Sequence, residues 1–201
     1  MAYTTKEKIE NYMLIEIGNS FDDQIDDWIT AVETYINNYT SRDTFEQPAV
    51  DSIRYFDGSG SRELIIDEFT SLSAVEILET NGDDVEYSLT EGQDNDYLIY
   101  PSNTYPKYKL VLTANSSIAE WYSGNLRMKI TGKWAVNTTV PKDIELAATM
   151  LMADIIDRGM KDGLVQSESL GDYSVSYKDI GTSEVGMSVK NILNKYKKFT
   201  L

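Results

Sequence analysis

Four aspartates, Asp22, Asp23, Asp26 and Asp27, are the densest set of chemistry-capable side chains in the chain. Carboxylates at this spacing have two chemical uses, as ligands for a divalent cation or as paired acid and base. Asp22 and Asp26, like Asp23 and Asp27, fall one helical turn apart, on the polar side of an apolar stripe. That is the pattern of a solvated helix N-terminus favoured by the helix dipole, and it is the stronger reading. Asp94-Asn95-Asp96 has the start of a calcium loop without its glycine and distal glutamate, so a turn is expected. Gly58-Ser59-Gly60-Ser61 is glycine-rich but runs into Arg62 and an apolar segment rather than Gly-Lys-Ser/Thr at a helix start. A hairpin turn is expected there, not a phosphate cradle.

The chemistry that remains is bounded by absences. The 201 residues contain no histidine and no cysteine, which removes disulfides, Cys/His zinc sites, thiol nucleophiles and Ser-His-Asp triads. An enzyme would have to run on carboxylates, lysine or tyrosine, and a carboxylate glycosidase needs two acids facing across a cleft, which spacing does not identify. The formal charge of −15 argues against wrapping nucleic acid. Hydrophobic residues at 41% and charged residues at 25% match a globular protein. No apolar run reaches the ~18 residues of a membrane span, and the start lacks the pattern of a signal peptide. The chain is expected to work where it is made, with no cofactor, metal or membrane.

The elements that position these residues follow from periodicity. Thr4 and Glu7 read as a capping box for a short helix with Ile9, Tyr12 and Met13 on one face. Ser20 reads as the N-cap of a second helix, whose stripe Ile25, Trp28, Ile29, Val32, Ile36 and Tyr39 keeps a 3.6-residue rhythm to about Thr40. From Ile53 the period becomes two. Strands are expected at 64–66, 74–78, 85–89, 97–100, 107–113 and 126–131, with Tyr55 to Ile66 forming a tight hairpin whose Gly58 and Gly60 both need positive φ. Pro141 starts a third helix carrying Ile144, Ala147, Ala148, Leu151, Met152, Ile155 and Ile156, with Gly159 as its stop. Residues 171–177 alternate like a strand. Ser188 reads as the cap of a last helix with Val189, Ile192, Leu193 and Tyr196 on one side.

The fold class expected is α+β: a helical bundle of N-terminal hairpin, central helix and C-terminal helix, with an inserted antiparallel β meander or small barrel. In domain terms this is 1–46 with 138–201, and an insert at 47–137. The aromatics Tyr87, Tyr97, Tyr100, Tyr105, Tyr108, Trp121 and Tyr122 of the insert have two readings: core and rim of a β-fold, or a platform for stacking sugars or partners. Lys190, Lys195, Lys197 and Lys198 likewise read as dipole partners at a helix C-terminus or as a dock for an acidic surface.

In order along the chain, Tyr3-Thr4-Thr5 through Tyr39-Thr40-Ser41-Arg42, Arg54-Tyr55-Phe56-Asp57-Gly58 with Leu64-Ile65-Ile66-Asp67, Ile130-Thr131-Gly132-Lys133-Trp134, Val140-Pro141-Lys142-Asp143-Ile144 with Ala147-Ala148, and Ser188 through Tyr196 resemble the landmarks of the head-to-tail adaptor (head-completion, connector) proteins of tailed bacteriophages. The resemblance implies a structural, non-enzymatic virion protein at the head-tail interface, made in the host cytoplasm. It implies a homo-oligomeric ring, commonly of twelve copies, that docks under the portal protein, meets a tail or neck protein and extends the channel. It gives Lys190, Ile192, Leu193, Lys195, Tyr196, Lys197 and Lys198 the portal-docking role, as an arm whose removal leaves the rest folded. DNA would pass without tight binding, and Asp22, Asp23, Asp26 and Asp27 would line the channel. The reading from another class is a carbohydrate-binding or adhesion module built on the aromatic insert.

Overall fold

The computed structural model describes residues 2–80, 82, 84–161 and 184–198. The chain divides into two compact units, Met1–Arg42 with Val140–Leu201, and Asp43–Thr139.

The first unit is helical. Helix α1 (Lys6–Met13) is capped by Thr5, whose hydroxyl accepts from the Lys8 amide, not by Thr4 as the capping box suggested. Thr4 is instead buried, its hydroxyl 2.7 Å from that of Thr149. With two adjacent threonines, the one facing the core is consumed by packing and its neighbour is left to cap. Ser20 is not a cap either: it lies inside a 3-10 turn (Asn19–Phe21), and α2 (Asp22–Thr40) starts without any side-chain cap. Asp22 and Asp23 in its first turn complement the dipole there. Ile25, Ile29, Val32 and Ile36 form the buried stripe of α2, with Trp28 and Tyr39 half-buried at its margins.

Helix α3 (Lys142–Lys161) begins after Pro141, whose carbonyl accepts the amides of Ile144 and Glu145 at 3.0 Å. Ile144, Ala147, Ala148, Leu151 and Met152 are buried, and the helix contacts α1, α2 and the last helix, α4 (Glu184–Asn194). Gly159 does not stop α3, which continues to Lys161, since a helical glycine costs only about 1 kcal/mol. Ser188 does not cap α4, because the helix already runs from Glu184. The strand expected at 171–177 lies outside the described residues. No described helix is long and apolar enough to cross a membrane.

Among its described residues the second unit has seven strands: β1 (Ser52–Gly58), β2 (Glu63–Phe69), β3 (Ser71–Leu78), β4 (Val85–Leu89), β5 (Tyr97–Tyr100), β6 (Lys107–Leu112) and β7 (Gly124–Lys133). They form two antiparallel sheets, ordered β1-β7-β3-β4 and β2-β6-β5, and no closed barrel. The meander survives only as the hairpins β3-β4 and β5-β6. The hairpin expected from Tyr55 to Ile66 is absent: β1 pairs with β7 and β2 with β6, so the glycine segment carries the chain from one sheet to the other.

Long-range contacts explain the crossing. The Trp121 amide donates to Ser61 O at 2.8 Å, the Gly60 amide to Trp121 O at 2.7 Å and the Leu112 amide to Arg62 O at 2.9 Å. Gly60 has the expected positive φ of 64°, but Gly58 does not. Gly58 is required by space, since a Cβ there would lie 1.7 Å from the Tyr122 carbonyl oxygen. The two sheets share one core, to which Leu64, Phe69, Ile77, Leu110, Met128 and Ile130 contribute with Trp121 and Trp134.

Candidate functional site: the basic C-terminal segment and the acidic start of α2

The C-terminal basic residues gather at the end of α2. The Lys198 amide donates to Thr40 O at 2.9 Å, Arg42 Nε donates to Tyr196 O, and Tyr39 OH donates to Asn194 Oδ1 at 2.8 Å. Lys197 Nζ sits 4.3 Å from the centroid of the Tyr39 ring, and Lys195 Nζ is 3.9 Å from Asp143 Oδ2. Helix α2 has no basic residue in its own last turn. Arg42, Lys197 and Lys198 bring that charge from outside it, to the negative end of the helix dipole. Burial, with a smaller contribution from the Asp143 carboxylate, raises the pKa of Tyr196 above the usual phenol value.

The seven residues assigned to docking therefore separate. Lys195, Lys197 and Lys198 are exposed, Lys190, Ile192 and Tyr196 are half-buried, and Leu193 is 0% exposed. Leu193 and Val189 are buried in the helical unit, in contrast to the exposed lysines that follow them. The contacts with Thr40, Arg42 and Tyr39 come from residues about 155 positions away in sequence, and that with Asp143 from another helix. Periodicity within α4 carries no trace of them.

All four aspartates at the start of α2 are exposed. Asp22 is paired with Lys6 Nζ at 2.7 Å, tying α1 to α2, while the Asp26 carbonyl accepts the Thr30 hydroxyl at 2.9 Å. Among the described residues no group of three or more acidic side chains is placed to hold a metal ion. Asp96, at the end of the turn expected at 94–96, accepts the amides of Thr90 and Ser117 at 2.8 Å and the Ser117 hydroxyl at 2.7 Å. Burial opposes its charge, but these donors outweigh it and hold the carboxyl below the usual value.

The aromatics of the β unit are largely spent on packing. Trp121 is 0% exposed and Tyr97 is buried beside it, with ring centroids 6.4 Å apart. Burial, then the charges of Glu91 and Asp96, raises the Tyr97 phenol far above its ordinary pKa. Tyr87 and Tyr122 pack against the core at 5.9 Å from each other. Tyr105 and Tyr108 are exposed and Tyr100 is half-buried. The set is thus divided between core positions and outward-facing rings.

A further pattern lies on the first strand of the β unit. Ile53 and Tyr55 are half exposed on β1, an edge strand, while Arg54 between them reaches Asp43 at 2.8 Å and Asp67 at 2.7 Å and lies over Trp134. The signal was apolar residues on both faces of a single strand, where alternation with polar residues is the rule for a half-buried one.

No known family profile matches the chain, and no curated protein matches it. Its fold is similar to chains of solved particle structures. One is from the neck of an empty GTA particle computed with C6 symmetry, at 11% identity and TM-score 0.55, covering 97% of this chain and 89% of the other. A second, from the virion of a native gene transfer agent (GTA) particle, is 12% identical with TM-score 0.54 and the same coverage. A third, from the neck of a native GTA particle computed with C12 symmetry, is 10% identical with TM-score 0.51, covering 100% of this chain and 96% of the other.

Proposed function

We propose that the chain is a structural subunit of the neck of a phage-like particle, a head-to-tail adaptor whose copies form a ring of twelve under the portal protein and extend the DNA channel towards a tail or neck protein. The observation that carries this reading is the fold likeness to neck and virion chains of GTA particles over 97% or more of the chain. The ordered sequence landmarks of head-to-tail adaptors support it independently. The exposed cations Lys195, Lys197 and Lys198 are the docking contacts available on the last segment, with Lys190, Ile192 and Tyr196 beside them. Asp22, Asp23, Asp26 and Asp27 are assigned to the channel wall, where anionic side chains keep phosphate from sticking. The protein acts as a scaffold, not an enzyme.

Native mass spectrometry and electron microscopy of the chain mixed with its portal test the proposal. A closed ring on the portal is the expected outcome. A strict monomer that never associates with portal overturns it.

A further inference from the structure

The four-stranded sheet of the β unit runs β1-β7-β3-β4, and each neighbouring pair in it is antiparallel. Among the described residues β1 pairs only with β7 and β4 only with β3, and no backbone bond from outside the sheet reaches Arg54 to Phe56 or Val85 to Leu89. Ile53 and Tyr55 are 51% and 49% exposed on β1, and Val85, Glu86 and Ser88 are exposed on β4. Natural edge strands are blunted by free charge, proline or a cover. Here the charges are spent within the unit: Arg54 on Asp43 and Asp67, Glu86 on Arg127, and Asp57 on the Leu126 amide. Both edges of one sheet are thus open to a further strand.

Cross-strand register shows how the two edges match. On the core side of the sheet Phe56, Met128, Ile77 and Tyr87 form one row, and on the outer side Tyr55, Lys129, Glu76 and Ser88 form the next. Met128 and Ile77, in the middle of the core-side row, are fully buried, whereas Phe56 and Tyr87 at its two ends pack on the core but stay partly exposed. Four strands that alternate in direction leave β1 and β4 antiparallel to each other. A second copy set beside the first without inversion therefore brings its β1 antiparallel to β4, the pairing that the sheet already uses at each of its own junctions. One more strand spacing of ~4.8 Å extends both rows in register.

We infer that β1 of one copy adds to β4 of a second copy, so that the four-stranded sheet continues from copy to copy. Phe56 then meets Tyr87 on the core side, where each covers the open flank of the other, and Tyr55 meets Ser88 on the outer side. Main-chain hydrogen bonds supply the affinity, and these side-chain pairs fix the register. The contact joins two different edges, so it is head-to-tail and makes a ring where the rotation closes. Four strands from each of twelve copies, at ~4.8 Å per strand, make a circle about 230 Å around and about 75 Å across, wide enough to surround a channel. Asp57 and Glu86 approach each other at one end of the contact, so added salt strengthens it by screening them. The inference rests on the ring reading and names the surface that builds the ring.

The absence of native cysteine makes the test direct. Within one copy Tyr55 and Ser88 stand three strand spacings apart, roughly 14 Å, whereas opposed residues of paired strands have Cβ atoms only about 5 Å apart. The double variant Tyr55→Cys, Ser88→Cys, treated with a short bifunctional thiol reagent, is expected to give a ladder of dimers, trimers and larger species, with each single variant giving no ladder. Tyr55→Glu with Ser88→Glu sets like charges across the contact and is expected to weaken self-association at least about tenfold by sedimentation velocity, while Tyr55→Glu with Ser88→Lys restores it. Both positions are exposed, and an unchanged circular dichroism spectrum shows that the variants fold. Rings on the portal that persist in the Glu pair and never cross-link through residues 55 and 88 overturn the inference and leave the adaptor reading intact. A dimer from Tyr55→Cys alone that grows no further overturns it in favour of a symmetric β1-β1 contact. A ladder through residues 55 and 88 from a chain that never associates with portal upholds the edge contact and overturns the adaptor reading. A chain that neither self-associates nor cross-links at any concentration, with or without portal, overturns both.

Discussion

The backbone amide of Lys198 donates to the carbonyl oxygen of Thr40 at 2.9 Å, closing the end of α2 with a segment from the far terminus of the chain. With Leu193 and Val189 buried four residues apart on α4, the last helix is part of the core it was expected to hang from. Deleting residues 188–201 is therefore expected to unfold or grossly destabilise the helical unit. Leu193→Ala should cost about 2 to 5 kcal/mol, as large-to-small changes at fully buried sites do. Urea unfolding followed by circular dichroism measures both, and wild-type stability in the truncated chain would restore the detachable-arm reading.

Charge reversal of Lys195, Lys197 and Lys198 to Glu is expected to abolish portal binding. It also places anions at the negative end of the α2 dipole and removes the Lys197 contact with the Tyr39 ring, so a stability loss of about 1 kcal/mol should accompany it. Replacing the three by Gln separates the effects, since it removes attraction without adding repulsion. Portal affinity unchanged in both variants, measured by co-sedimentation, rules out an electrostatic dock.

Gly58→Ala should damage the β unit far more than Gly60→Ala. At Gly58 the new methyl meets the rigid Tyr122 carbonyl at 1.7 Å, which forces backbone movement and should cost upwards of about 3 kcal/mol. At Gly60 the obstacle is the Ser123 hydroxyl, which can rotate away, leaving the αL penalty of about 1 to 2 kcal/mol. Thermal unfolding of the two variants should rank them in that order, and equal stability would mean that the sheet crossing does not depend on this close approach.

Acid should release the tie between α1 and α3. The Lys8 ammonium, 2.8 Å from Glu145 Oε2, is the main cause that holds the Glu145 carboxyl below its ordinary value; partial burial opposes it and Lys142 assists. A carboxyl depressed in the folded state contributes stability above its unfolded value of about 4.3, and that contribution disappears as pH falls through the lower folded value. Glu145→Gln should lose this pH-dependent part, so the stabilities of variant and wild type converge below about pH 4. Denaturant midpoints at pH 3 and pH 7 measure it, and a constant difference between the proteins at both would assign no role to the charge.

No measurable affinity for duplex DNA is expected at physiological salt. Ordinary non-specific binding reaches only ~10⁻⁴ to 10⁻⁶ M, and it is driven by Lys and Arg that acids here outnumber 33 to 18. Replacing Asp22, Asp23, Asp26 and Asp27 by Lys should slow DNA ejection from particles while leaving ring assembly unchanged. Ejection at the normal rate would place this helix face away from the channel.

Much of the fold is local in origin, and that part was legible. The 3.6-residue stripe from Ile25 to Ile36, the apolar face of α3 and the strand positions from Leu64 to Ile130 follow from side-chain periodicity, which each segment carries by itself. Helix ends were read less well. Thr5 caps instead of Thr4 because the core claims one of two adjacent hydroxyls, and Gly159 fails to stop a helix whose packing outweighs one glycine. What tertiary structure alone decided was pairing. Gly58 and Gly60 have the composition of a hairpin, yet the carbonyls of Trp121 and Tyr122, some sixty residues away, fix them as a crossing between sheets. In the same way, the lysines after α4 look like a free basic tail until Thr40, Arg42 and Tyr39 are brought against them. Periodicity states which face of an element is apolar, but which distant face covers it depends on the whole packed chain, and that is why the edge at Ile53 and Tyr55 came into view only once every other strand had found its partner.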